Sequence, residues 1–248
     1  MPRKTLIITD VTAMSGDNVC IAGYDSSLTC IRPVLSMGQV KKSYLFKNGQ
    51  LIVCPSTKIS FDFIRPISMP PHTEDFIFEG DTIRFEGRTT EIEWKDLLHK
   101  TSHQTFRELF PLLQDRSVQP GSAGPSLGTL IPTDVPVLSC DYYKDPPRLR
   151  MKILDREGFT KERVPITDLA FRKLFEVILQ DYGNDCEKTV QKLNNTLKGR
   201  EIYLRFGLSR PFAGSSDPTR EVCWLQINGI HTFPNLYDYS YEKWIVLE

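Results

Sequence analysis

Along the first ninety residues the apolar positions fall in short β-branched or alternating runs, at 5–9, 19–24, 28–34, 50–54, 59–66 and 82–87. Gly, Pro, Asn, Asp or Ser separates the runs, the pattern of strands joined by tight turns. The stretch VCIAGYDSSLTCIRPV (19–34) predicts a hairpin about Asp25-Ser26-Ser27, with Cys20, Ala22 and Tyr24 on one face. Over 93–113 the period lengthens. Trp94, Leu97, Leu98, Phe106, Leu109, Phe110 and Leu113 recur at helical spacing, with a break near Ser102 and Pro111 against the last turn. One or two helices are expected there. Residues 117–135 are rich in Gly, Pro and Ser and read as a linker or a long crossing loop.

Strands are expected again at 136–141 and 148–155, the second ending in an Arg156-Glu157-Gly158 turn. Thr167 is the expected N-cap of a helix over 168–179 that buries Leu169, Ala170, Leu174, Val177 and Ile178. A second helix, over 185–197, places Val190, Leu193 and Leu197 together and stops at Gly199. Further β-type runs occupy 202–206, 223–230 and 244–247. Each half thus combines short strands with a helical insert, without a residue-level repeat. No Gly-rich phosphate loop directly follows a strand, so a doubly wound sheet is disfavoured. The expected fold is mainly β with helical inserts (α+β), two OB-like small barrels packed in tandem over 1–116 and 136–248, with 117–135 between them.

Charge and cysteine content narrow the chemistry. The 248 residues carry 31 basic and 31 acidic side chains, so coating nucleic acid by net charge alone is excluded. The charges are uneven, with five basic against ten acidic residues over 72–115 and sixteen against eleven over 144–220. A neutral chain of this kind can still present a local positive surface, or simply two solvated faces that differ. The amino terminus has too short an apolar run for a signal peptide or a membrane span, and a cytoplasmic protein without membrane contact is expected. Six cysteines and four histidines form no CxxC or HExxH spacing. Reduced cysteines packed as small hydrophobes are expected, with no metal and no cofactor.

Motifs for a nucleophile elbow, a P-loop or a dinucleotide fold are absent from the sequence, and no catalytic residue is assigned. PPHTED (70–75) sets His72 beside Glu74 and Asp75, a combination suited to acid/base work or a divalent ion, or to a capped turn after a strand. Arg32-Pro33, Arg65-Pro66 and Arg210-Pro211 repeat one step. A residue before proline is pushed into extended conformation, so these arginines are expected to project at strand ends, where a guanidinium suits a phosphate or a carboxylate. Phe206 and Phe212 flank Arg205 and Arg210, and Trp224, Phe233, Tyr237, Tyr239 and Tyr241 crowd the carboxyl-terminal part. By alternation Cys223, Leu225 and Ile227 share one face, and Trp224, Gln226 and Asn228 the other. If the first face is core, the second offers a row for stacking and hydrogen bonding to bases.

The ordered set ITDVTAMSGDNVCIAGYD, CIRPVL, PPHTEDF, LRFGLSRPF and CWLQINGIHTFPNLY, from Thr5 to about Tyr237, resembles the prokaryotic dual OB-containing domain family. The resemblance implies two OB folds, no known catalytic activity, and recognition of nucleic acid or a nucleotide within a bacterial defence or stress system. It supplies no ligand residues to transfer. The ligand-binding set chosen on physical grounds within the shared motifs is Arg32, His72, Glu74, Arg205, Arg210, Trp224 and Gln226. The leading expectation is a non-catalytic module for single-stranded nucleic acid, with a protein partner in a multi-component system as a further expectation. A sensor of a small nucleotide or second messenger is the alternative, and a metal-dependent enzyme acting on nucleotides or nucleic acid the second alternative.

Overall fold

The computed structural model describes residues 3–141, 147–214, 217–237 and 240–246. Its first part holds β1 (Arg3–Ala13), β2 (Val19–Tyr24), β3 (Cys30–Val34), a small hairpin of β4 (Phe46–Lys47) and β5 (Gln50–Leu51), then β6 (Thr57–Met69), β7 (His72–Phe78) and β8 (Arg84–Arg88). β1, β2 and β3 pair antiparallel in sequence, β3 runs parallel to β7, β7 pairs antiparallel with β6, and β6 returns to β1. The five strands therefore close a ring, and β8 adds to β6 outside it. Leu6, Ile8, Ile21, Ile31, Phe61 and Phe78 are fully buried in this part of the core. The Asp25 turn of the 19–34 hairpin forms as expected, with the Asp25 carboxylate accepting from the backbone N–H groups of Ser27 and Thr29.

The second part follows α1 (Glu91–Lys100), β9 (Ser102–His103), α2 (Phe106–Leu109) and β10 (Ser117–Val118). Thr90 and Glu93 form a capping box on α1, and Thr105 and Glu108 one on α2, which explains why the 93–113 run splits into two helices. Next come β11 (Leu127–Leu130), β12 (Val137–Asp141), β13 (Arg148–Leu154), β14 (Thr160–Pro165), α3 (Leu169–Asp181), α4 (Cys186–Leu197), β15 (Glu201–Leu208), β16 (Phe212–Gly214) and β17 (Asp217–Phe233). β12, β13 and β14 form an antiparallel meander. A parallel bridge between Ile166 and Ile227 carries the end of β14 to β17, β17 pairs with β15, and β15 with β11. The second part is thus a meander, β12–β13–β14, bridged to an open sheet in which β17, β15 and β11 are neighbours, with α3 and α4 between β14 and β15.

Several expectations change. The segment 117–135 contributes β10 to β17 and β11 to β15, so it is built into the second sheet. PPHTED is a turn only at Pro70-Pro71; from His72 onward it is β7, paired to β6 and β3. The N-cap of α3 is Asp168, whose carboxylate accepts from Phe171 N, while Thr167 donates its hydroxyl to Ile227 O. Tyr241–Lys243 is a single 3-10 turn and Trp244 follows it without a strand; Leu247 and Tyr239 lie outside the described residues.

The two parts share one continuous hydrophobic core, from Leu6 and Ile8 of β1 to Ile227 and Ile230 of β17. Two β-bulges shape the seam between them. In β1 the register slips between Ile8 and Asp10, and in β17 it slips at Asn228, opposite Arg205 and Phe206 of β15. A Cβ on Gly23 would stand 2.3 Å from Ile7 O, so only glycine allows β2 to approach the first bulge. Thr9, the extra residue there, offers its carbonyl to His231 Nε2 at 2.9 Å.

Candidate nucleic-acid interface

The residues chosen from the sequence divide into a buried group and a surface group. Arg205 is fully buried. Its Nε and one terminal nitrogen bind the two oxygens of Asp10 at 2.7 and 2.8 Å, and its other nitrogen donates to Tyr24 Oη at 2.7 Å and Thr129 Oγ1 at 3.1 Å. Burial opposes this charge, but Asp10 and Tyr24 outweigh it and hold the guanidinium pKa well above its ordinary value. Asp10 follows the bulge in β1, and Arg205 lies opposite the bulge in β17, so both stand where the sheets bend at the seam.

Arg32 is also buried, against the expectation that Pro33 would project it. Its Nε donates to Asp75 Oδ1 at 2.6 Å and a terminal nitrogen donates to Ser126 Oγ at 3.1 Å. The parallel register that sets Arg32 opposite Asp75 explains this. Glu74 accepts from Ser126 N, Ser126 Oγ and Leu127 N at 2.6, 2.8 and 3.1 Å, tying β7 to the start of β11. His72 is buried beside Cys223, with Nε2 to Sγ at 3.9 Å. Burial, then the Arg32 and Arg210 charges, push its pKa down to about 4. His72, Glu74 and Asp75 thus face different partners. Among the described residues no three His, Cys, Asp or Glu side chains gather as a metal site.

Arg210 bridges the two groups. Its terminal nitrogen donates to Asp75 Oδ2 at 2.6 Å, yet 47% of the side chain stays exposed. Beyond it, β16 pairs with β17 and extends the connection from β15 into a hairpin. Phe212 is half exposed and faces half-buried Trp224 with ring centroids 6.2 Å apart. The Trp224 indole N–H donates to Phe212 O at 3.3 Å, and Ser209 Oγ accepts from Trp224 N at 2.9 Å. Arg220 is exposed on the same hairpin, and with the Gln119 amide turned to present its oxygen, its guanidinium donates to Gln119. Cys223, Leu225 and Ile227 form the buried face of β17, and Trp224 and Gln226 stay partly exposed, the first of the two arrangements that alternation left open. Asn228 is buried, because the bulge opposite Arg205 and Phe206 folds it over Gly207, where a Cβ would stand 2.1 Å from its Nδ2.

A second basic feature lies where the β1–β2 loop meets α3. A cavity of about 220 Å³ is lined by Met14, Gly16, Lys42, Arg172, Lys173 and Trp244, among others. Lys173 also pairs with Glu176 at 3.8 Å, and the Trp244 indole N–H is buried without a hydrogen-bond acceptor.

Sequence reasoning did not select Asp10, Ser126, Arg220, Lys42 or Arg172. Asp10 carried a usable signal, a lone acid inside the β-branched run LIITDVT, where burial requires a partner. No family model matches this chain, and no curated protein matches it.

Proposed function

We propose that this chain is a non-catalytic binding module for single-stranded nucleic acid, built from two OB-like barrels of the dual OB-containing kind and working in a bacterial defence setting with a protein partner. The fold supports the reading through its pairing order. The first ring runs first–second–third–fifth–fourth–first with the third and fifth strands parallel. The second repeats this order, its first strand divided into β11 and β12. In OB folds the connections between strands one and two and between four and five take part in binding oligonucleotides. The β16–β17 hairpin occupies the four–five connection of the second unit.

The carrying observation is on that hairpin, where half-exposed Phe212 faces partly exposed Trp224 and the same segment carries exposed Arg210 and Arg220. Exposed aromatic faces stack on bases of any identity, and flexible guanidiniums follow the phosphates. A fluorescence-anisotropy titration of labelled single- and double-stranded DNA and RNA, at two salt concentrations, tests the reading. Tighter binding of single strands that weakens with salt is expected. A folded sample with no affinity at low salt rejects it.

The basic cavity favours a second reading, a small-nucleotide sensor. Lys42, Arg172 and Lys173 suit a phosphate, and Trp244 a base or a further acceptor. It requires saturable thermal stabilisation by a mononucleotide or cyclic dinucleotide that is lost in Arg172→Glu.

A further inference from the structure

Cys140 on β12 and Cys186, the first residue of α4, hold their sulfurs 2.7 Å apart. The other thiols have different neighbours: Cys30 and Cys54 each accept from a guanidinium, and Cys223 faces His72. The strand and helix carrying the pair are registered by a separate clamp. Asn194, further along α4, accepts from Leu138 N at 2.8 Å and donates to Leu138 O at 3.2 Å. A disulfide needs the two sulfurs within bonding reach, and this contact, braced by the Asn194 clamp, already holds them there. Cys140 is partly exposed, whereas Cys186 is buried beneath it.

We propose that Cys140 and Cys186 form a redox modification site that closes to an intramolecular disulfide by exchange with a low-molecular-weight disulfide such as glutathione disulfide. The accessible Cys140 thiolate attacks one glutathione sulfur, breaks its S–S bond and releases one glutathione thiolate. The Cys186 thiolate then attacks the Cys140 sulfur of the mixed disulfide and expels the second glutathione thiolate. Two protein thiols are oxidised, one glutathione disulfide is reduced to two glutathiones, and the two protons pass to solvent and the leaving thiolates. Burial and the adjacent Cys186 push the Cys140 thiol up to about 12, which slows the first attack near neutral pH and makes closure faster as pH rises. The product encloses β13, β14 and α3 in a covalent loop and fastens α4 to β12.

The full-length protein, equilibrated with excess glutathione disulfide, alkylated under denaturing conditions and mapped by peptide mass spectrometry, tests the proposal. A peptide linking Cys140 to Cys186, lighter by two hydrogens, is expected, together with a higher Tm than that of the reduced protein. Cys186→Ser is expected to accumulate glutathione on Cys140, since the resolving thiol is gone. Alkylation of both cysteines in the treated wild type, or a lasting glutathione adduct on its Cys140, overturns the proposal.

Discussion

At the scale of single residues, the most consequential finding is that arginines expected to meet a ligand bind buried carboxylates instead. Removing one partner of a buried pair leaves an uncompensated charge and costs about 3–5 kcal/mol. Arg205→Ala is therefore expected to lower the free energy of unfolding by about that much in a urea titration, and Arg32→Glu, which sets a carboxylate against Asp75, to be severely destabilising as well. Two buried histidines give the fold a pH dependence. His72 and His231 have pKa values lowered to about 4, chiefly by burial, whereas the unfolded chain takes up both protons near 6.5. Asp168 acts the other way, raised to about 7 by burial against its backbone hydrogen bonds. Between pH 6.5 and 4 the unfolded state gains two protons that the native state refuses, while the native state keeps one that the unfolded state lacks. The net difference of one proton makes stability fall as pH falls, by about 1.4 kcal/mol per pH unit. The full slope is reached near pH 5 and fades towards pH 7, where the two effects cancel. Urea unfolding at pH 5.5 and pH 4.5 should show stability falling with pH, and His231→Gln should flatten it. Arginine-proline steps were legible in the sequence, but their partners were not, because the choice between solvent and a carboxylate is made by strand register between distant segments.

At the scale of elements, the β16–β17 hairpin carries half-exposed Phe212 against partly buried Trp224, with Arg210, whose side chain is 47% exposed, close by in sequence. Phe212→Ala removes a ring that is 50% exposed, so its cost to stability should be small. Its loss should weaken binding of a single-stranded oligonucleotide by ~1–3 kcal/mol if one base stacks there, measured by anisotropy beside a Tm that stays near wild type. The 19–34 hairpin and both long helices were legible, since each carries its own periodicity; the 93–113 region was open between one helix and two, and the capping boxes at Thr90 and Thr105 decide for two. β7 was hidden because His72, Glu74 and Asp75 are polar residues buried at the seam, so its amino-terminal half lacks the apolar alternation that marks a strand. β14, TKERVP, is mostly exposed and shows no apolar face, and buried β11 is flanked by the Gly and Pro residues that signalled a loop.

At the scale of the whole molecule, the two parts are fastened by charge as well as by apolar packing. Asp10–Arg205, Glu74 with Ser126, and His231 with Thr9 O all join the first part to the second. Trp94 packs edge-on to His231 at 5.0 Å, so its fluorescence belongs to this shared seam. Urea unfolding followed by tryptophan fluorescence and by far-ultraviolet circular dichroism should give coincident single transitions; two separated steps would show that the two parts are independent. The similarity of plan between the halves was legible, while their fusion was not, because it depends on two bulges that apolar periodicity does not register.

Asp75 gives the fusion a further consequence. Its two oxygens hold Arg32 inside and Arg210 at the surface, so a phosphate that recruits Arg210 competes with an internal anion for the same cation. Affinity and rigidity are then set against each other by one carboxylate. Asp75→Asn should release Arg210, tightening oligonucleotide binding while lowering Tm, and a variant that loses both would show that Arg210 serves the seam alone. On the proposed reading, the strength of any hold on a strand is limited by how firmly the molecule holds itself.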